Sequence, residues 1–139
     1  MRLFAAFAVL ALAPLAVAQD KDKPAVRALE LKGGKLILPE RLTEPKAVEV
    51  KSAEELARAK EFADDAARDA VRKQVDFAKE KVVVFAWAGS GQDRLTPELV
   101  TDGKQVKATF AYKAGATDDF VRHGRVFAVP KEAAVEVKK

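Results

Sequence analysis

The sequence predicts an α+β fold: a twisted, mainly antiparallel sheet with one or two short helices packed on one side. Three observations carry this expectation. Residues 81–88 (K-V-V-V-F-A-W-A) form an apolar, β-branched and aromatic run without polar alternation, as a central strand covered on both faces requires. Val106, Ala108, Phe110 and Tyr112 alternate with Lys107, Thr109, Ala111 and Lys113, a period-two pattern with one buried and one wet face. Between the strand-like segments, Ser52-Ala53-Glu54-Glu55 opens a stretch with helical periodicity. A chain of 139 residues allows a single domain of this kind.

Taken in order, Met1–Arg2 gives a cationic start, residues 3–13 an apolar run, Pro14 a break, and Ala16-Val17-Ala18 small residues where a signal peptidase reads. This three-part layout predicts a secretory signal peptide over residues 1–18. The apolar stretch is shorter than the ~20 residues that span a bilayer, so removal is expected over retention as an anchor. Residues 19–24 (Q-D-K-D-K-P) read as a flexible leader, and residues 25–139 as the domain. Residues 25–31 and 35–38, separated by Lys32-Gly33-Gly34, predict a β-hairpin. Residues 47–51 predict a further short strand.

In the helical stretch, Ser52 is the expected N-cap with Glu55 reaching back from the first turn. Leu56, Ala59, Phe62, Ala63, Ala66, Ala70, Val71 and Val75 mark one face, and Asp64-Asp65 allows a second helix to begin. Glu54/Arg58, Asp64/Arg68 and Asp69/Lys73 form acid-before-base pairs four apart. After the central strand, Gly89-Ser90-Gly91 ends the run. Pro97 assigns residues 94–101 to an edge or bulge, and Asp102-Gly103 signals a hairpin turn. A loop over residues 113–119, a strand over 120–129 interrupted near Gly124, and a last strand through Ala133, Val135 and Val137 complete the reading.

Composition removes several chemistries. With no Cys there is no disulfide, zinc-thiolate site, iron–sulfur cluster or cysteine nucleophile, and a single His rules out a multi-histidine metal site. The phosphate-loop and dinucleotide fingerprints are absent, as is a calcium-loop run. A net charge of +4 is too mild to argue for nucleic acid. No cofactor and no metal are therefore expected.

The candidate functional residues cluster in two segments. Gly89-Ser90-Gly91-Gln92-Asp93-Arg94 follows Trp87, and Arg122-His123-Gly124-Arg125 lies near the chain end. Ser90 invites a nucleophile reading with His123 as base and an Asp to orient it. However, A-G-S-G-Q is not the Gly-x-Ser-x-Gly elbow, and no helix follows to cap an oxyanion. A turn residue is the plainer account of Ser90. Asp93 is expected to accept backbone N–H bonds, Arg94 to pair with a carboxylate, Trp87 to sit in the core, and His123 to lie at a surface or strand edge. Asp118-Asp119 reads as a solvated turn. The alternative is a partner-binding rim of Trp87, Gln92, Asp93, Arg94, Arg122, His123 and Arg125, although alternation places Arg125 and some of its neighbours on different faces.

Val75-Asp76-Phe77 before the apolar strand at 82–88, then hairpin strands and a closing V-F-A-V-P at 126–130, resembles a family of small exported bacterial domains. These are similar to the C-terminal domain of the protease-complex subunit PrcB and include secreted proteins of planctomycete type. The resemblance covers residues 48–137. It implies a non-catalytic role in the assembly or stability of a partner, with no catalytic residues to carry over. Residues 89–94 stand where the family has a Thr-Gly-Gly-rich turn. Together these readings lead to an expected non-enzymatic exported domain that binds a protein or cell-envelope partner, with no membrane span after cleavage. The alternatives are a hydrolase using Ser90 and His123, and a small-ligand carrier or inhibitor with a mostly apolar cavity.

Overall fold

The computed structural model describes residues 25–139; the expected signal peptide and leader lie outside the described residues. The elements are β1 (Arg27–Ala28), β2 (Val48–Val50), α1 (Ala53–Arg58), α2 (Asp65–Gln74), β3 (Glu80–Gly89), β4 (Arg94–Asp102), β5 (Gln105–Lys113), β6 (Val121–Pro130) and β7 (Ala134–Lys138). They form two open sheets, ordered β1-β6-β3-β2 and β4-β5-β7. Strand makes up 44% of the described residues against two helices of 6 and 10 residues, so the fold is mostly β. Among the described residues no helix is long and apolar enough to cross a membrane.

The expected single sheet is replaced by two, and β3 shows why. Side chains of a strand alternate between faces. Val82 and Val84 join Leu56, Phe62, Ala67, Val71, Val126 and Ala128 in one buried cluster, on the face covered by the helices. Val83, Phe85 and Trp87 join Ala108, Phe110, Phe127, Val129 and Ala133 in another, on the face covered by the second sheet. A strand apolar on both faces needs two covers, and an Ala-lined helical stripe supplies only one. The second cluster is tied by aromatic contacts, with ring centroids of Phe85 and Phe110 4.6 Å apart and of Phe110 and Phe127 5.0 Å apart. Such pairs add about 0.5–1.5 kcal/mol each beyond the area they bury.

The helical stretch is two helices. Ser52 Oγ accepts from Glu55 N at 3.1 Å, while the Glu55 carboxylate accepts from Lys51 N at 2.8 Å, one residue before the cap. Asp64 caps α2, accepting from Ala67 N at 2.8 Å. With that carboxylate engaged, the expected Asp64/Arg68 pair does not form. Arg68 pairs with Asp65 at 3.0 Å and Arg72 with Asp69 at 2.7 Å, three apart rather than four. Arg68 also donates to the carbonyls of Ala59 and Phe62, covering the end of the first helical segment.

The expected first hairpin does not form. Lys32 and Gly33 do adopt positive φ, and Gly34 N donates to Leu31 O at 2.9 Å. But β1 pairs with β6, and Leu36 bridges Phe62. Leu29 and Leu31 of the first arm and Leu36 of the second all pack in the helix-side cluster, so each arm is held by the body of the domain and not by the other. The Asp102–Gln105 turn is as expected: those residues pair across Gly103 and Lys104, and Gly103 supplies φ +59°. Pro97 lies on β4, an edge strand.

β6 runs without interruption, and Gly124 is paired with Ala86. Leu36 and Leu38 lie over it, and a Cβ there would meet Leu36 Cδ1 at 2.8 Å and Leu38 Cδ2 at 3.0 Å. Glycine at this position makes room for the covering segment. β7 runs parallel to β5, the one parallel pairing among the described strands.

Candidate functional site

The two candidate segments meet at one end of the β3·β6 ladder, where Trp87 pairs with His123 and Ala88 with Arg122. His123 stacks on Trp87, with centroids 4.7 Å apart and planes 15° from parallel. Both are buried, Trp87 as the sequence predicts and His123 against the expectation of a surface position. Trp87 belongs to the cluster under the second sheet, with the Tyr112 ring of β5 edge-on to it at 6.4 Å, and the stacked His123 shares that face.

Asp93 is the organising residue. Its Oδ2 accepts from Trp87 Nε1 at 3.2 Å and from Tyr112 Oη at 3.1 Å, and its Oδ1 accepts from Gly115 N at 2.7 Å. Burial is the largest single influence on this carboxyl and pushes it up. The donors from Gly115, Tyr112 and Trp87, helped by His123, together outweigh burial and hold it below its ordinary value. Burial and the adjacent Asp93 carboxylate push the Tyr112 hydroxyl up. Gly89 lets the carboxylate approach, since a Cβ there would sit 2.1 Å from Asp93 Oδ2.

Ser90 has a different set of partners. Its Oγ accepts from Gln92 N at 3.1 Å and from Thr117 N at 3.2 Å, and it bonds the Thr117 hydroxyl. The Thr117 hydroxyl in turn donates to Asp119, so the proton between the two hydroxyls belongs to Ser90. A serine hydroxyl offers one donor and two acceptor sites, and all three are taken. His123 Nε2 lies 2.8 Å from the Ser90 carbonyl oxygen. A carbonyl only accepts, so Nε2 carries the proton, and this ring nitrogen is not a base toward Oγ. Asp119, read from sequence as solvated, accepts from Gly91 N at 3.1 Å; the Thr117 hydroxyl first and Gly91 second hold its carboxyl below the ordinary value.

The seven proposed rim residues therefore divide. Trp87 and His123 are inside, and Asp93 spends both oxygens on internal donors. Gln92, Arg94, Arg122 and Arg125 are exposed. Arg94 forms no ion pair with a described carboxylate, contrary to expectation. Arg122 and Arg125 fall on opposite faces of β6, as alternation predicts: Arg122 is on the helix side with Val126, and Arg125 is on the other side with Phe127.

No family model, curated relative or solved structure matches the chain.

Tyr112, Gly115 and Thr117 are partners of residues 89–94 that the sequence pattern does not mark. They lie 19 to 27 residues away, and nothing local to them signals a contact set by the pairing of β4 with β5. Among the described residues no group of three or more His, Asp or Glu could hold a metal ion. A surface depression of about 290 Å³ beside the β4–β5 turn is lined by Lys104, Gln105, Val106, Lys107, Glu132 and Ala134. Its charged lining and distance from residues 89–94 differ from the apolar cavity a carrier needs.

Proposed function

We propose that the chain is a non-enzymatic exported domain that binds a protein or envelope partner and assists that partner's assembly or stability. The signal-peptide layout of residues 1–18 supports export, and the resemblance to the PrcB-type domains supports the assisting role. The observation that carries the non-enzymatic part is the saturation of Ser90 Oγ by Gln92, Thr117 and the Thr117 hydroxyl. The polar groups at this end of the ladder hold loops together, and the exposed cations Arg94, Arg122 and Arg125 are left facing outward.

The test is capture from the envelope of the secreting cell with the wild-type domain and with Arg94→Ala plus Arg125→Ala. Both arginines are exposed and neither forms an ion pair with a described carboxylate, so the double variant is expected to fold. Loss of a partner from the variant is expected. Retention of every wild-type partner would remove these residues from the contact surface.

A further inference from the structure

β6 has two edges, and one is only partly paired. The outer edge faces β1, which pairs Arg27 with Ala128 and Ala28 with Phe127, and Leu29 N donates to Val126 O at 2.8 Å. The chain then leaves the edge: Gly34 lies against Ala67 of α2, and Leu36 and Leu38 return across the face of Gly124. No described residue pairs with the outer edge over residues 121–125.

The direction of the unpaired groups follows from the bond at Val126. Antiparallel residues alternate between bonding one neighbour and the other. Val126 points its carbonyl at β1, so Gly124 and Arg122 point theirs, with their N–H groups, the same way. On the other side, Ala88 O accepts from Thr43 N at 3.0 Å, so even-numbered residues of β3 also face away from β6. The Gly124 carbonyl accepts from the side chain of Arg125 at 2.9 Å, which covers one acceptor and leaves the Arg122 carbonyl and the two donors.

Edge strands are ordinarily blunted by proline, charge or cover. β4 has Pro97 in mid-strand, and β7 carries Glu136 and Lys138 on one face. Residues 121–125 contain no proline, and Gly124, one of the two residues whose backbone faces outward, presents no side chain. Their two charges are both positive, and neither Arg122 nor Arg125 pairs with a described carboxylate.

We propose that this edge accepts an extended acidic segment of a partner protein as an added strand, with Arg122 and Arg125 reading its charge. The inference rests on the partner-binding reading above and supplies its mode. Backbone bonds to Arg122 and Gly124 give the attachment, and opposite charges across the strands give the choice of partner. Because Arg122 and Arg125 are three apart and on opposite faces, the preferred segment has two carboxylates three apart.

The test uses residues 19–139 and a synthetic peptide of Val and Thr with two Glu three apart, beside the same peptide with Lys in their place. Amide resonances and hydrogen exchange of the domain are followed during titration. The expected result is slowed exchange at the Arg122 and Gly124 amides with the Glu peptide. Binding should be about tenfold weaker to Arg122→Glu plus Arg125→Glu, and also to the Lys peptide. These are exposed residues, and the amide spectrum of the variant checks its fold.

Failure of the Glu peptide to protect those amides, or equal binding of the Lys peptide, overturns the proposal. So does protection that appears without peptide and rises with domain concentration, which would make the occupant a second copy of β6. If envelope capture depends on Arg94 and Arg125 while the edge amides stay unprotected, strand addition falls and the partner-binding reading stands. If neither capture nor protection is seen, both fall.

Discussion

The β3·β6 ladder is built differently at its two ends. From Val82 to Phe85, opposite Ala128 to Arg125, β3 is buried on both faces among aliphatic and aromatic side chains. From Trp87 to Gly89, opposite His123 to Val121, the same strands carry an imidazole, an indole N–H and a network of carboxylates and hydroxyls. The first end is stabilised by area removed from water, which tolerates changes of detail but not loss of volume. The second is stabilised by donors and acceptors that must each be matched, so losing one partner strands another. One end sets how stable the domain is, and the other sets how the loops after β3 and β5 are held.

The largest effect expected from breaking this contrast is at the apolar end. Phe85→Ala removes a ring in contact with Phe110 and Phe127, and chemical denaturation should show a loss of about 3–5 kcal/mol. A loss under ~1 kcal/mol would mean that the second sheet closes over the gap.

Asp93→Asn comes next. It replaces an acceptor-only carboxylate facing three donors with an amide that brings donors of its own. A loss of about 1–3 kcal/mol is expected at neutral pH. Its pH dependence sharpens the comparison. The folded-state pKa of Asp93 is depressed, so its contribution is present above the unfolded carboxylate value, about 3.9. It is lost as pH falls through the lower folded value. Thermal unfolding between pH 5 and pH 2, read against Phe85→Ala, should show a shallower acid decline for Asp93→Asn alone. An unchanged acid slope would remove Asp93 from the account.

The smallest effect is at Ser90. Ser90→Ala strands the N–H groups of Gln92 and Thr117 at the rim of the network, where water can reach the exposed Thr117. Stability should fall by about 1 kcal/mol, with faster amide exchange confined to residues 90–92 and 115–119. Global acceleration of exchange would show that the loops are coupled to the whole ladder.

Legibility in the sequence followed the range of the interactions. The central strand, the β4–β5 turn, the Ser52 cap and the alternation in β5 depend on residues within a few positions of one another, and each lies where the pattern puts it. The first hairpin does not form because Lys32-Gly33-Gly34 permits a turn without deciding where the arms go. That is settled by distant backbone partners, Val126 for Leu29 and Phe62 for Leu36. His123 is buried for a related reason. Flanking arginines look like surface, but the stacked Trp87 ring and the Ser90 carbonyl lie 36 and 33 positions away.

Sequence alone determined the parts whose causes are local. These are a strand too apolar to have a wet face, a turn needing glycine, helices begun by Ser52 and Asp64, and a set of reactive groups without a thiol and with a single imidazole. Tertiary structure decided that two layers, not one, cover that strand. It also decided that Asp93 and Ser90 turn inward to neighbouring loops, and that part of β6 is left without a partner among the described residues. The physical reason is that a side chain's hydrogen-bond capacity is written in its residue type. Which groups use that capacity depends on what distant segments bring within 3 Å.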